Sequence, residues 1–550
     1  MSSDTAGNGS SAAGRAVDAV IVGAGFAGLY LVHHLRDRLG LSVAAFEAGD
    51  GVGGTWYWNR YPGARCDSES YYYSYSFSPE LEQEWNWSSK YPEQPEILRY
   101  LEHVADRFDI RRSIRFGTRV TAAHFDDTDG SWDVRTDRGD AVRARYFISA
   151  VGCLSSANVP DIPGLDRFQG RWVHTGRWPQ DGVDFSGQRV GLIGTGSTGI
   201  QSTPVIARAA EHLYVFQRTP NYSIPARNHE MTEERNREIK NTYAEIRRRC
   251  RDSFAGFPYI VNRQSALEVS PEERTEIFER LWSEAGGFQF LYGSFYDLLR
   301  DQAANDTAAE FIRSKIRETV TDPVVAEMLC PTDHPFGTKR PPVDTDYFAT
   351  FNRDNVTLID VRRSPILEIT EKGILTAEAE YPLDIIVFAT GFDAMTGSLL
   401  KIDIRGRNGV RLADRWAGGP NTYLGMAVAG FPNLFMVTGP GSPSVLANMP
   451  MSIEQHVEWI GRCLVEAERR GAQIVEATAE AEEEWGDQVA AAVETTLYAK
   501  ANSWYVGANI PGKQRVFMPY TGGFAKYESI CEQVVDSGYE GFVFDTPVRS

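Results

Sequence analysis

The sequence predicts an α/β fold: two Rossmann-like dinucleotide-binding domains, each entered through a glycine-rich turn, the second inserted in the first and carrying a helical subdomain. Three observations predict it. A β-branched strand, Ala19–Val22, passes through Gly23-Ala24-Gly25-Phe26-Ala27-Gly28 into a helix running from Leu29 towards Leu39. The same order recurs at Arg189–Ile193, Gly194-Thr195-Gly196-Ser197-Thr198-Gly199 and a helix-compatible run to Ala210. Two more apolar strands, Phe147–Gly152 and Ile385–Gly391, close on a small residue and glycine and bracket the second copy, as expected where a chain leaves one sheet for another.

In each copy the strand-turn-helix order presents backbone N–H groups and a helix N-terminus to a pyrophosphate, and the glycines permit the tight turn and close approach. Both copies are therefore Rossmann-like dinucleotide sites, with Gly23, Gly25 and Gly28 in one and Gly194, Gly196, Ser197 and Gly199 in the other. The next strand of the first copy, Ser42–Phe46, ends in Glu47, nineteen residues after Gly28, where a carboxylate can accept hydrogen bonds from ribose hydroxyls. In the second copy His212–Phe216 leads to Arg218, nineteen residues after Gly199. An acid there would repel a 2′-phosphate, whereas arginine offers it a permanently charged fork. An acid-terminated site beside a base-terminated one points to FAD in the first and NADPH in the second.

These elements give a domain order. Residues 1–16, rich in Ser, Gly and Ala, read as a disordered tail. The FAD domain takes 17–152 and 386–550, the NADP domain 153–228 and 330–385, and a helical insertion 229–329. In that insertion Ser270-Pro271-Glu272-Glu273 is a capping box, and Thr307 to Glu310 reads as another. Ser452 reads as the cap of a late helix through Arg470, and the acidic run Glu476 to Glu484 as a solvated face.

Composition excludes several classes. Fifty-six basic against 74 acidic residues leave a net charge of −18, which opposes attraction to nucleic acid or anionic lipid. The longest apolar stretch, Ala19 to Val32, carries three glycines and is too short to span a membrane. The six cysteines, Cys66, Cys153, Cys250, Cys330, Cys463 and Cys531, form no C-x-x-C pair for dithiol exchange or zinc. The expectation is a cytoplasmic, metal-free monomer or weak homo-oligomer with reduced thiols.

FAD with NADPH admits electron delivery to a disulfide, to a protein or to oxygen, and the missing cysteine pairs remove the first. The segment Phe168-Gln169-Gly170-Arg171-Trp172-Val173-His174-Thr175-Gly176-Arg177-Trp178-Pro179 then matches every fixed position of F-x-G-x-x-x-H-x-x-x-W-P. By it the chain resembles the type I Baeyer-Villiger monooxygenases, and most the phenylacetone and steroid monooxygenase branch. The likeness runs from Val17 to Tyr539 and takes in Gly53 to Asp67, Gln217 to Pro220, Lys339-Arg340 and Asn502 to Tyr505.

The resemblance implies a reaction and roles. A ketone and O2 would give an ester or lactone through a flavin C4a-peroxide, with sulfur oxidation as a side activity. Arg340 would be the catalytic cation and Asp67 the carboxylate that orients it. Thr55, Trp56 and Tyr73 would contact the flavin, while Arg218, Thr219 and Lys339 would grip the 2′-phosphate. Phe168, Gly170, His174 and Trp178 belong to the fingerprint; His174 either couples domain motion to the cofactors or is a hydrogen-bonded structural residue. Trp504 would sit on a loop closing over the nicotinamide. Ser444, Val445 and Leu446 would line the substrate pocket, within a Gly- and Pro-rich stretch that could equally be a rigid connector. A flavin N- or S-hydroxylase and a non-catalytic redox sensor are the alternatives.

Overall fold

The computed structural model describes residues 15–546. Arg15 and Ala16, expected in the tail, already pair with Val142 and Arg143 in the first strand, Arg15–Val22; residues 1–14 lie outside the described part. Beside this strand run Val43–Phe46 and Ala141–Ser149, both parallel to it, and Leu434–Met436 joins Ala141–Ser149 from the C-terminal half of the chain. Ala19, Val20, Ile21, Phe147 and Ile148 have no exposed surface, and burying a valine, isoleucine or phenylalanine side chain in this way stabilises the fold by about 1.5–3 kcal/mol.

The second sheet is wholly parallel, ordered Val356–Asp360, His212–Gln217, Arg189–Ile193, Ile385–Phe388, Arg171–His174. Parallel sheets need cover on both faces, and the apolar runs of Val190, Leu192, Leu213, Val215, Ile386 and Val387 are all fully buried. The boundary expected between residues 385 and 386 falls inside the strand Ile385–Phe388, so the chain leaves this sheet only after Phe388. The two crossings lie side by side: Ala157 bridges Phe392, and the Asn158 N–H donates to the Gly391 carbonyl at 3.0 Å.

Between 233 and 329 the chain is helical, with Glu233–Arg251, Pro271–Arg280, Gly287–Gly293, Gln302–Thr319 and Pro323–Leu329. Ser270 caps as expected, its hydroxyl accepting from the Glu273 N–H. Thr307 does not: the helix already starts after Asp301, and the Thr307 hydroxyl donates back to the Ala304 carbonyl. Ser452 likewise lies inside the helix Met449–Arg469, bonded to the Asn448 carbonyl. Within the acidic run Glu482 is fully buried, where it accepts from the Ala429 N–H at 2.9 Å and meets Arg415, so that segment is not one solvated face. Among the described residues no helix is long and apolar enough to cross a membrane.

Candidate active site

The two glycine turns are built alike. Gly23 has φ +109° and Gly194 φ +111°, backbone that side chains other than hydrogen rarely adopt, and a Cβ at either would run into a carbonyl, that of Ala150 or Ala389. Those alanines directly follow the neighbouring strands Ala141–Ser149 and Ile385–Phe388. Gly28 and Gly199 let their helices pack against the same turns. Gly25 and Gly196 sit instead at the helix starts, and beyond Gly196 a Cβ would meet no atom within 4 Å. Neither helix has a side-chain cap, so the first-turn N–H groups face a cradle that fits a pyrophosphate.

Glu47 is 6 % exposed, and burial raises its carboxyl pKa against the lowering pull of two backbone N–H donors. Those donors are Gly49 at 2.7 Å and Ala24 of the glycine turn at 2.9 Å. The carboxylate thus pins the turn and keeps spare lone pairs.

The second turn ends in a cluster of cations. Arg218 is exposed and makes no ion pair among the described residues, while the Thr219 carbonyl accepts from the Thr195 hydroxyl of the turn at 2.8 Å. Among the described residues Lys339 pairs only with Asp333, at 3.8 Å, and its pKa is lowered by burial, against Asp333, with Arg218 and Arg362 adding to the lowering. Arg362 was not expected here. The Val361 N–H donates to the Gln217 carbonyl, so Arg362, whose Nε lies 3.6 Å from Asp360, emerges at the neighbouring strand end near enough to Lys339 to act on it as Arg218 does. A surplus of positive charge fits a bound phosphate.

Arg340 lies where the two halves meet. Its Nε–H and one Nη2–H donate to the Asp67 carboxylate at 2.6 and 2.8 Å, and its Nη1–H donates to the Val445 carbonyl at 2.6 Å. Phe288 of the helical insertion covers the guanidinium at 4.7 Å. Burial works against its charge, but Asp67 outweighs that, and the pKa of Arg340 is raised. The flanking Cys66 thiol is pushed up by burial and stays protonated. Trp56 donates its indole N–H to the Tyr73 hydroxyl at 3.2 Å, and Tyr73 packs on Phe26 of the first helix; Thr55 starts the short helix Thr55–Trp58 and is exposed.

The remaining candidates separate. Trp504 is half-buried on a short turn against Tyr505, and it is Tyr505, with Tyr292, that shares Arg340's surroundings. Ser444, at φ 44°, turns its hydroxyl to the Thr438 carbonyl, and Val445 gives its carbonyl to Arg340. Of the three, Leu446 lines a small cavity with Phe254, Tyr292, Tyr498 and Thr521. Phe168 and Gly170 pack on each other, where a Cβ at Gly170 would strike the Phe168 ring and the Asp384 carbonyl; Trp178 is buried beside Phe185. His174 is 2 % exposed and its pKa is lowered to about 4 by burial. Its Nδ1 accepts from the Gly176 N–H, leaving the proton on Nε2 for Thr390, whose own hydroxyl donates to the Asn158 carbonyl. Neutral His174 thereby clasps both crossings. Among the described residues no cluster could hold a metal ion.

Two dinucleotide cradles flanking a carboxylate-held arginine define a flavin- and nicotinamide-dependent oxidoreductase. Residues 16–231 match the flavin-binding monooxygenase-like family. The chain is 46 % identical over 533 residues to a Baeyer-Villiger monooxygenase of Pseudooceanicola batsensis, covering 97 % of each. It is 45 % identical over 534 residues to the phenazine N-monooxygenase PhzNO1 of Lysobacter antibioticus, covering 97 % of this chain and 98 % of that one. A solved structure of oxidized steroid monooxygenase bound to NADP superposes with a TM-score of 0.92 at 56 % identity, covering 96 % of this chain and 100 % of that one. The chain belongs to the Baeyer-Villiger flavin-dependent monooxygenases, and FAD and NADP are its cofactors.

Proposed function

We propose that the enzyme converts a ketone carrying a sizeable hydrocarbon body to the ester or lactone, consuming NADPH and O2 and releasing NADP+ and water. The observation that carries this reading is the arginine held at Asp67. FAD, bound in the first cradle and reduced by NADPH, supplies the oxygen-transfer chemistry. Arg340 has five N–H groups and three are committed to Asp67 and Val445, so two remain to stabilise negative charge developing on oxygen. Asp67 fixes their direction and Phe288 keeps water off one guanidinium face. Arg218, Thr219, Lys339 and the unexpected Arg362 would take the 2′-phosphate, Thr55, Trp56 and Tyr73 would border the flavin, and Trp504 with Tyr505 would close the nicotinamide side.

His174, neutral and doubly bonded, would position the crossings rather than exchange protons. The FAD unit would be the first sheet with its C-terminal return, and the NADP unit the second sheet with the helical insertion. Six free thiols support a cytoplasmic setting, and the reading keeps a monomer or weak homo-oligomer. Likeness to an N-monooxygenase favours nitrogen oxygenation as the second reading. The test is NADPH consumption in air over linear, aromatic, macrocyclic and steroidal ketones with the products identified. Ester in proportion to NADPH supports the proposal; NADPH loss yielding only hydrogen peroxide across the panel refutes it.

A further inference from the structure

We infer that Phe288 is a positioning residue for oxygen transfer: its ring, stacked with Phe257, sets the plane of the Arg340 guanidinium and so the direction of the two N–H groups that Asp67 and Val445 leave free. The inference rests on the ketone reading above and adds to it a residue that acts through Arg340.

The N–H groups of a guanidinium all lie in its plane. The two bonds from Arg340 to Asp67 and the one to the Val445 carbonyl therefore fix it within that plane. Such bonds tolerate about 30° of misalignment before they weaken, so they leave tilt out of the plane loosely controlled. Tilt is resisted by a contact on the face, and Phe288 supplies one, its ring centroid 4.7 Å from the guanidinium carbon. Phe288 is 3 % exposed, and attraction between a cation and a ring is strongest away from water. A leucine here would cover the guanidinium but attract it little, because an alkyl chain has no negative face.

The ring is itself held. Phe257 lies nearly parallel to it, with centroids 5.6 Å apart and planes 21° from parallel. Both neighbours of Phe288 are tied to a single stretch of chain. Arg340 donates to the Val445 carbonyl, and Asn448, three residues further on, donates from its N–H to the Ala255 carbonyl at 3.0 Å and from its Nδ2 to the Gly256 carbonyl at 3.2 Å, just before Phe257. The start of the helix Gly287–Gly293, which carries Phe288, is fixed from two sides. Lys90 donates from Nζ to the Ala285 carbonyl at 2.8 Å, and Gly286, at φ +62°, lies so close to the Pro225 carbonyl that a Cβ would strike it. Pro225 in turn pairs with Asp344, four residues after Arg340. The mounting of the ring and the mounting of the guanidinium are parts of one frame.

The experiment replaces Phe288 in the holoenzyme by mono-, di- and trifluorophenylalanine and, separately, by leucine. Fluorine is nearly the size of hydrogen and draws electron density from the ring face, so the series weakens attraction to a cation stepwise at almost constant shape. Reduction of the flavin by NADPH should be unchanged. The kcat for ester should fall at each step, reaching about 3- to 30-fold with the trifluoro ring, while KM for the ketone stays and NADPH goes increasingly to hydrogen peroxide. Phe288→Leu should match the trifluoro variant. A flat series in a wild type that forms ester overturns the role of Phe288 alone. So does a leucine variant with the wild-type kcat, or a loss shared equally by flavin reduction. No ester from the wild type with any ketone refutes the ketone reading, and the role falls with it.

Discussion

Replacing Arg340 by alanine should leave reduction of the flavin by NADPH intact and abolish ester formation. The magnitude follows from the geometry. The guanidinium is held by Asp67 at 2.6 and 2.8 Å and by Val445 at 2.6 Å, so its two uncommitted N–H groups are oriented before substrate arrives. Removing one such preorganised donor costs about 10²–10³ in rate, roughly 3–4 kcal/mol. The variant also exposes the reacting oxygen to an unpaired Asp67 carboxylate, a repulsive charge where an attractive one stood, which places the loss at or beyond the upper end of that range. Folding should survive. Breaking a wholly buried ion pair costs about 3–5 kcal/mol, but Asp67 and Arg340 side chains are 19 % and 23 % exposed, and water can hydrate the carboxylate left behind. Lysine at this position keeps the charge yet cannot span both carboxylate oxygens and the Val445 carbonyl, so Arg340→Lys should fall between wild type and alanine. The assay is anaerobic bleaching of the flavin by NADPH, followed by chromatographic measurement of ester in air. Ester formation by Arg340→Ala above about a tenth of the wild-type rate, with reduction unchanged, would refute the role.

Three further outcomes are expected. Arg218→Ala should raise KM for NADPH by about 10-fold or more, since charge-assisted hydrogen bonds contribute about 1.5–3 kcal/mol each, and should leave NADH little affected; equal losses would remove the phosphate role. Gly196→Ala, into open space at a permitted φ, should fold and retain FAD but lose NADPH affinity, whereas Gly194→Ala should fail to fold normally; unchanged coenzyme KM in the first would show that the turn does not face the coenzyme. For His174, held neutral with a pKa of about 4 by burial, the unfolded chain takes up a proton below its ordinary value of about 6.5 that the folded chain refuses. Its contribution is therefore fully present above pH 6.5 and lost as pH falls towards about 4. The melting-temperature difference between wild type and His174→Asn should shrink over that window; a difference constant with pH would show that His174 is not a buried neutral group.

What could be read in the sequence was local. Both strand-turn-helix units, the strands ending in Glu47 and Arg218, and the apolar strands closing on Gly152 and Gly391 each occupy a short run of residues whose spacing encodes their geometry. Caps were less legible, because Ser and Thr inside a helix can bond back to a carbonyl three or four residues earlier as readily as they cap its start; Thr307 and Ser452 do the former. The two helices are already opened by Asp301, whose carboxylate accepts from the Ala304 N–H at 2.8 Å, and by Asn448, which makes no side-chain cap.

The site itself depends on contacts no window spans. Arg340 and Asp67 are 273 positions apart, and their pairing was legible only through the likeness to a family. Phe288, Tyr292 and Tyr505 approach Arg340 from the helical insertion and from the C-terminal turn, and nothing in their local patterns distinguishes them from other buried aromatics. Arg362 is the instructive case, since it too is a cation just past a strand end, as Arg218 is. Its place at the neighbouring strand end follows from the parallel pairing of Val356–Asp360 with His212–Gln217, strands separated by the whole helical insertion. Periodicity tells where a strand ends; sheet order tells which ends are neighbours, and that order is fixed by packing of the complete chain. A strand-end cation becomes a candidate phosphate ligand only once the order is known, which is why the sequence exposes the first arginine of this cluster and conceals the second.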